Sequence, residues 1–203
     1  MKIICIGRNY SDHAKEMQAE VPTEPVFFMK PETALIKDGQ DFYYPDFTQD
    51  LHYECELVVR IDKVGKNISK TFAPKYYSQI GLGLDFTARD LQQKCKEKGL
   101  PWEIGKAFDQ SAALGNIFLD TASLQLNALS FTLKKNGEVV QSGNSADMIF
   151  TIDNIIAYTS QFVTLKTGDL IFTGTPAGVG PVKIGDVLEG YIESEKIFSF
   201  SIK

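Results

Sequence analysis

Three cysteines in 203 residues are too few, too widely spaced and wrongly numbered for a disulfide framework. Cys5, Cys55 and Cys95 fit no CxxC or zinc-ribbon pattern. Cys5 and Cys55 sit in apolar, strand-like runs and read as small core hydrophobes, which points to a reducing compartment. No apolar run approaches the ~20 residues needed to span a bilayer, so no membrane partner is expected. Met1-Lys2 leads straight into a short strand instead of a signal peptide, and the expected location is cytoplasmic. Positive charge is in deficit, with 21 Lys and Arg against 26 Asp and Glu. A net charge of −5 argues against the basic stripe of nucleic-acid-binding proteins. It leaves room for an anionic small substrate, because a metal or a few local cations reverse the field inside one cleft. Repeats, low-complexity tracts and Pro/Ser-rich linkers are also lacking, and the chain reads as one domain, 1–203.

What is present is mostly strand. Ile3–Ile6, Val26–Met29, Leu51–Ile61, Ile80–Asp85, Leu124–Lys134, Asp169–Thr173, Val187–Ile192 and Ile197–Ile202 are rich in β-branched, aromatic or aliphatic residues and bounded by Gly, Pro or Asn/Asp. Asn136-Gly137 favours a tight hairpin turn. Helices are expected over Ser11–Met17, over Thr87–Lys98 with Thr87 as N-cap and Gly99 past its end, and over Thr151–Gln161. Strands without regular intervening helices give an α+β, mainly β fold class. The long stretches Gly99–Asp120 and Gly174–Gly185 are irregular but not disorder-like, since Pro101-Trp102-Glu103-Ile104 and Ala107-Phe108 carry too much apolar surface, and they are candidate site walls.

The residues able to do chemistry form several weak signals. In a strand through His52-Tyr53-Glu54-Cys55-Glu56, alternate residues share a face, so His52, Glu54 and Glu56 point one way. Two carboxylates there repel unless a cation lies between them, although an E-x-E run equally describes a solvated face. Asp85 ends the strand Gly81-Leu82-Gly83-Leu84 and could be a third oxygen ligand or a turn residue. Three carboxylates without a thiolate suit a hard divalent ion. His13 and Glu16, three apart on a helix, could form an oriented general base or an incidental surface pair. Arg8 could bind a carboxylate bidentately. Lys106, flanked by Gly and Ala, is either a surface lysine or a desolvated one with a lowered pKa. Thr175, in a Gly/Pro-punctuated loop, could hold an anionic oxygen together with its neighbouring backbone N–H groups.

Six segments taken together, GRNYSDHAKE (7–16), PVFFMKPETALI (25–36), LHYECELVVRI (51–61), GLGLDFTARDLQ (81–92), GLPWEIGKAFDQSAALG (99–115) and GDLIFTGTPAGVG (168–180), resemble the fumarylacetoacetate hydrolase family, in its small acylpyruvase-like branch. The resemblance implies a mixed β-sandwich or roll with a few short helices, usually a homodimer. It implies a site of Glu54, Glu56 and Asp85 for Mg²⁺, with Mn²⁺ or Ca²⁺ as substitutes. It further implies a water-activating His13–Glu16 pair, a lysine near the metal at Lys106 and a substrate-contacting Thr175. Arg8, Tyr10, Lys30, Gln92 and Asp109 fall at positions expected to line the pocket. One departure is Asn9, near which larger family members place an extra acidic ligand.

The implied reaction is hydrolysis of the C–C bond of an acylpyruvate, R-CO-CH₂-CO-COO⁻, to pyruvate and a carboxylic acid. Oxaloacetate decarboxylation and isomerisation or decarboxylation of 2-hydroxyhepta-2,4-diene-1,7-dioate compounds are alternatives at the same site. A non-catalytic 2-oxo acid binding protein is the alternative of another class.

Overall fold

The computed structural model describes residues 1–17 and 20–203. In chain order, β1 (Ile3–Gly7), α1 (Ser11–Glu16), β2 (Val26–Lys30) and β3 (Leu35–Lys37) are followed by β4 (Leu51–Tyr53), β5 (Cys55–Ile61), β6 (Tyr77–Asp85) and β7 (Thr87–Ala88). Then come α2 (Arg89–Lys98), α3 (Glu103–Lys106), β8 (Ala112–Leu114), β9 (Leu119–Asp120), and the hairpin of β10 (Ser130–Lys135) and β11 (Glu138–Asn144). The chain ends with α4 (Ile152–Phe162), β12 (Leu170–Phe172), β13 (Gly180–Pro181), β14 (Val187–Ile192) and β15 (Glu195–Ser201). The fold is α+β and mainly β.

A large mixed sheet runs β2-β1-β12-β5-β6-β8-β3, with β9 paired to β6. Its β1–β12 and β3–β8 pairs are parallel and the rest antiparallel. A second sheet, β11-β10-β14-β15, packs against it, and a small third one is ordered β13-β4-β7. Leu57, Val59, Leu82 and Leu84 of the large sheet and Phe131, Leu188 and Phe198 of the second share one buried apolar cluster. Burial of such side chains, at roughly 1.5–3 kcal/mol each, is what holds the layers together.

Several elements depart from the sequence reading. The run expected over Leu51–Ile61 breaks at Glu54, so that β4 leaves for the small sheet while β5 stays in the large one. The strand expected from Leu124 begins only at Ser130, because Ala128 N–H turns back to the Gln125 carbonyl and Ser145 Oγ takes the Leu129 N–H. Helix α2 starts at Arg89 without a side-chain cap, since Thr87 is drawn into β7 opposite His52. Helix α1 starts at Ser11, as expected, with Tyr10 before it and no side-chain cap. Gly99 ends α2 in the left-handed conformation, and Thr151 caps α4. The stretches left irregular hold α3, β8 and β9 in the first and β13 in the second.

The core of the large sheet depends on one close approach. A Cβ on Gly83 would stand 2.6 Å from the Ala113 carbonyl oxygen and 2.8 Å from the Phe172 ring. Backbone on β8 cannot yield as a side-chain tip can. Gly83→Ala is therefore expected to cost about 1–3 kcal/mol through overpacking, read as a lowered midpoint in urea unfolding at unchanged slope.

Candidate metal centre and active site

Register builds the site. Cys55 pairs with Leu84 and Glu56 with Gly83, so the start of β5 lies beside the end of β6. The Asp85 N–H donates to the Glu54 carbonyl at 2.8 Å, fixing those two residues across the strand ends. Glu54, Glu56 and Asp85 thus converge, each offering an oxygen within 4.8 Å of the others, and all three are buried. His52 does not join them; its Nε2 lies 2.8 Å from Asp50 Oδ1, on β4.

Cations answer two of the three carboxylates. Lys106 Nζ donates to Glu54 Oε2 and to Asp85 Oδ2, at 2.7 Å each. Arg89 Nη2 donates to Glu54 Oε1 at 2.6 Å and its Nη1 to Gln92 Oε1 at 2.7 Å. Lys30 Nζ lies 2.6 Å from Asp85 Oδ1, in ion-pair contact without hydrogen-bond alignment, and donates to the Ser111 carbonyl at 2.8 Å. Glu56 has no such partner among the described residues and accepts the Gly174 N–H at 2.8 Å. Burial and the neighbouring Asp85 and Glu54 push the Glu56 carboxyl well above its ordinary pKa. Burial acts on Glu54 in the same sense, but Lys106 and Arg89 outweigh it and hold Glu54 well below the usual range.

A buried carboxylate cluster with one member short of countercharge fits a hard divalent cation, which the all-oxygen donor set also favours. Glu54, Glu56 and Asp85 are the residues that would hold it.

These groups face a cavity of about 40 Å³. Its lining brings together most of the residues singled out in the sequence: Arg8, His13, Glu54, Glu56, Asp85, Gln92, Lys106 and Thr175. His13 is buried on α1, with Nδ1 3.2 Å from Glu16 Oε2. Glu16 is held in turn by the Gly178 N–H, at 3.1 and 3.3 Å from its two oxygens. Helix α3 packs closely on α2, where a Cβ on Gly105 would be 2.8 Å from the Gln92 nitrogen, and this seats Lys106.

Other expectations need correction. Lys106 is neither at the surface nor low in pKa. Burial lowers it, but Asp85 and Glu54 prevail and raise it above the ordinary value. Lys30 stands behind Asp85 and does not line the cavity. Tyr10 bridges to Met148, packs on Phe131 and borders a neighbouring cavity, while burial and the nearby Glu56 carboxylate raise the pKa of its buried hydroxyl, which has no hydrogen-bond partner among the described residues. Asp109 is exposed and outside the lining, because the chain turns at Gln110 (φ 65) after α3. The Thr175 hydroxyl donates to the Cys55 carbonyl at 2.9 Å and accepts from Gln141, and the Gly174 and Gly178 N–H groups are spent on Glu56 and Glu16. That loop positions the acidic groups more than it offers free donors. Asn9 is fully engaged in the frame: its amide donates to the Phe150 and Thr173 carbonyls at 3.0 and 2.7 Å and accepts the Phe150 N–H at 2.7 Å.

Arg89 and Lys96 also line the cavity, and the sequence reading passed over both. The signal was helical spacing, since positions 89, 92 and 96 fall on one face of a helix that begins just after Asp85.

Residues 2–199 match the family model described as "Fumarylacetoacetate (FAA) hydrolase C-terminal". The chain belongs to the fumarylacetoacetate hydrolase family. Within it, the chain is 44% identical over 201 residues to the mouse protein "Oxaloacetate tautomerase FAHD1, mitochondrial", covering 99% of this chain and 91% of that one. It is 40% identical to "Oxaloacetate decarboxylase, mitochondrial" of Dictyostelium discoideum, over 93% of this chain and 87% of the relative. Among solved structures of the family, the fumarylpyruvate hydrolase of Pseudomonas aeruginosa in complex with Mn²⁺ and pyruvate superposes with a TM-score of 0.93 at 38% identity, covering 100% of this chain and 89% of that one. The protein is thus an enzyme-family member with a candidate divalent-metal site, and no helix among the described residues is long and apolar enough to cross a membrane.

Proposed function

We propose that the protein is a Mg²⁺-dependent enzyme of small 2-oxo acids, and that it hydrolyses acylpyruvates to pyruvate and a carboxylic acid. The observation that carries this reading is the meeting, in one cavity, of the three-carboxylate cluster with the His13–Glu16 pair and Lys106. A divalent ion there supplies a Lewis acid that withdraws electron density from a 2-oxo carboxylate. Glu16 fixes the His13 ring through Nδ1, leaving Nε2 to take a proton from water as the water attacks the distal carbonyl. The C–C bond then breaks with its electron pair on the pyruvate carbon. Lys106, protonated between Glu54 and Asp85, gives its own proton to that carbon, and the proton left on His13 passes to solvent while Lys106 is reprotonated from solvent, so that both groups return to their starting states. Gln92, buried and bonded to Arg89, and Thr175 shape the cavity wall.

A second reading is tautomerisation or decarboxylation of oxaloacetate, supported by the relatives that carry those names. Neither needs an attacking water; decarboxylation depends less on His13, whereas tautomerisation still needs a group to carry the proton between carbon and oxygen. The test is metal-stripped protein given acetylpyruvate or oxaloacetate, then Mg²⁺ or Mn²⁺, with pyruvate release and enol–keto conversion followed. Metal-dependent pyruvate from acetylpyruvate is the expected result, and removal of the ion with a chelator is expected to abolish it. Turnover of oxaloacetate alone would replace hydrolysis by the second reading.

A reducing, cytoplasmic setting agrees with three cysteines that are buried and free. A second copy of the chain is the proposed partner, supported by the exposed Tyr43, Phe47 and Ile184. Light scattering should give about twice the 22.6 kDa chain mass.

A further inference from the structure

We propose that His52, outside the cavity, is a positioning residue of the carboxylate centre: its Nδ1 accepts the Arg89 Nε–H through one bridging water, and this link keeps the Arg89 guanidinium on Glu54. The inference rests on the metal-centre reading for its effect on the ion, whereas the link itself is measurable in metal-free protein.

Register brings the two side chains to one face. Strands β4 and β7 pair antiparallel, with His52 opposite Thr87 and Leu51 opposite Ala88. The Arg89 N–H donates to the Asp50 carbonyl at 2.8 Å, which carries the ladder one pair further, onto the first residue of α2. Asp50, His52, Thr87 and Arg89 therefore share one side of this ribbon, and His52 and Arg89 are diagonal neighbours, a spacing that long and aromatic side chains span. Thr48 Oγ1 donates to Asp90 Oδ1 at 2.6 Å and the Gln49 N–H to Asp90 Oδ2 at 3.2 Å, so the segment bearing Asp50 is fastened to α2.

Each side chain has one end committed and one end bare. His52 Nε2 lies 2.8 Å from Asp50 Oδ1, which takes the Nε2 proton and leaves Nδ1 as a lone-pair acceptor. Burial, and after it the Arg89 charge, press the ring toward its neutral form against the pull of Asp50. Arg89 spends Nη1 on Gln92 and Nη2 on Glu54. Arg89 Nε and His52 Nδ1 are both buried, and neither has a partner among the described residues. Buried polar atoms in folded proteins are paired, and here a pure donor and a pure acceptor stand on the same side of one ribbon. A water molecule, which donates and accepts, joins two such atoms at little cost. A guanidinium held at Nε as well as at Nη1 and Nη2 stays on Glu54. Partners of this kind behind a metal-binding carboxylate are typically worth about 10- to 100-fold in metal affinity.

Substitution separates the two imidazole nitrogens. Asparagine sets its amide near the Nδ1 position and glutamine near the Nε2 position, so His52→Asn keeps the acceptor for Arg89 and His52→Gln keeps the contact to Asp50. In metal-free, isotope-labelled protein, solvent exchange of the Arg89 Nε–H, followed by NMR, is expected to be about tenfold slower in the parent and in His52→Asn than in His52→Gln, the worth of one hydrogen bond. Calorimetry with Mn²⁺ should give an affinity about tenfold weaker in His52→Gln and within about twofold of the parent in His52→Asn. Arg89→Lys, which has no Nε–H, should weaken Mn²⁺ binding by itself and make His52→Gln silent in the double variant. Thermal melts check that each variant is folded. Equal exchange in the parent and His52→Gln, the opposite order of the two variants, or parent-like Mn²⁺ affinity in a folded His52→Gln protein overturns the proposal and leaves His52 a strand residue held by Asp50. A protected Arg89 Nε–H that His52→Gln exposes, in a protein that binds no Mn²⁺, sustains the link and removes the metal-centre reading instead.

Discussion

Replacing His13 with alanine is expected to lower kcat for acylpyruvate hydrolysis by about 10²- to 10⁴-fold, the usual worth of a positioned acid–base group. His13 lies on the cavity, its ring oriented by Glu16, and contributes no oxygen to the carboxylate cluster. Mn²⁺ affinity, measured by calorimetry, should therefore stay within a few-fold of the parent. Glu16→Gln should fall between parent and His13→Ala, since Gly178 N–H still finds an acceptor while the imidazolium loses its charge partner. Parent-like hydrolysis by His13→Ala would remove this residue from the role of base, and unchanged oxaloacetate turnover beside lost hydrolysis would separate the two reactions on one protein.

Lys30→Met is expected to destabilise the protein by about 3–5 kcal/mol, the cost of stripping one partner from a buried ion pair. The lysine side chain is wholly buried and that of Asp85 is 1% exposed, so water cannot replace the lost charge. For a chain of this size each kcal/mol lowers Tm by about 2–4 °C, which a thermal melt resolves. Lys106 still faces the other Asp85 oxygen, which places the effect toward the lower end. The double variant Lys30→Met/Asp85→Asn should recover part of the loss, because neither charge is then stranded, yet it should bind Mn²⁺ poorly. A Lys30→Met protein as stable as the parent would show that Asp85 is neutralised from the cavity side alone.

The parts of the site legible in the sequence were those set by local geometry. Alternate spacing paired Glu54 with Glu56, although Glu54 stands at the break between β4 and β5, and Gly81-Leu82-Gly83-Leu84-Asp85 announced a strand end close to another backbone. His13 and Glu16 were readable from helical spacing. What escaped depends on pairing between distant segments. Lys106 is buried because α3 closes over strand ends roughly twenty and fifty residues upstream, and its pKa direction follows from two carboxylates that no local window contains. Lys30 and Asp85 meet only through the sheet, and Asp109 leaves the site through a single left-handed residue after it. His52 was misplaced by treating Leu51–Ile61 as one strand, when the break at Glu54 sends it to another sheet.

The amide of Asn9 sets a limit on how this centre can change. Because the side chain donates twice and accepts once, an aspartate there would leave two carbonyls, of Phe150 and Thr173, without donors and bring a charge against them. A fourth acidic ligand, which the resemblance to larger family members would put near this position, is thus opposed by the hydrogen bonds of the scaffold. Any evolutionary or engineered route to a more acidic centre at this position has to rebuild the junction of β1, β12 and the segment before α4 first.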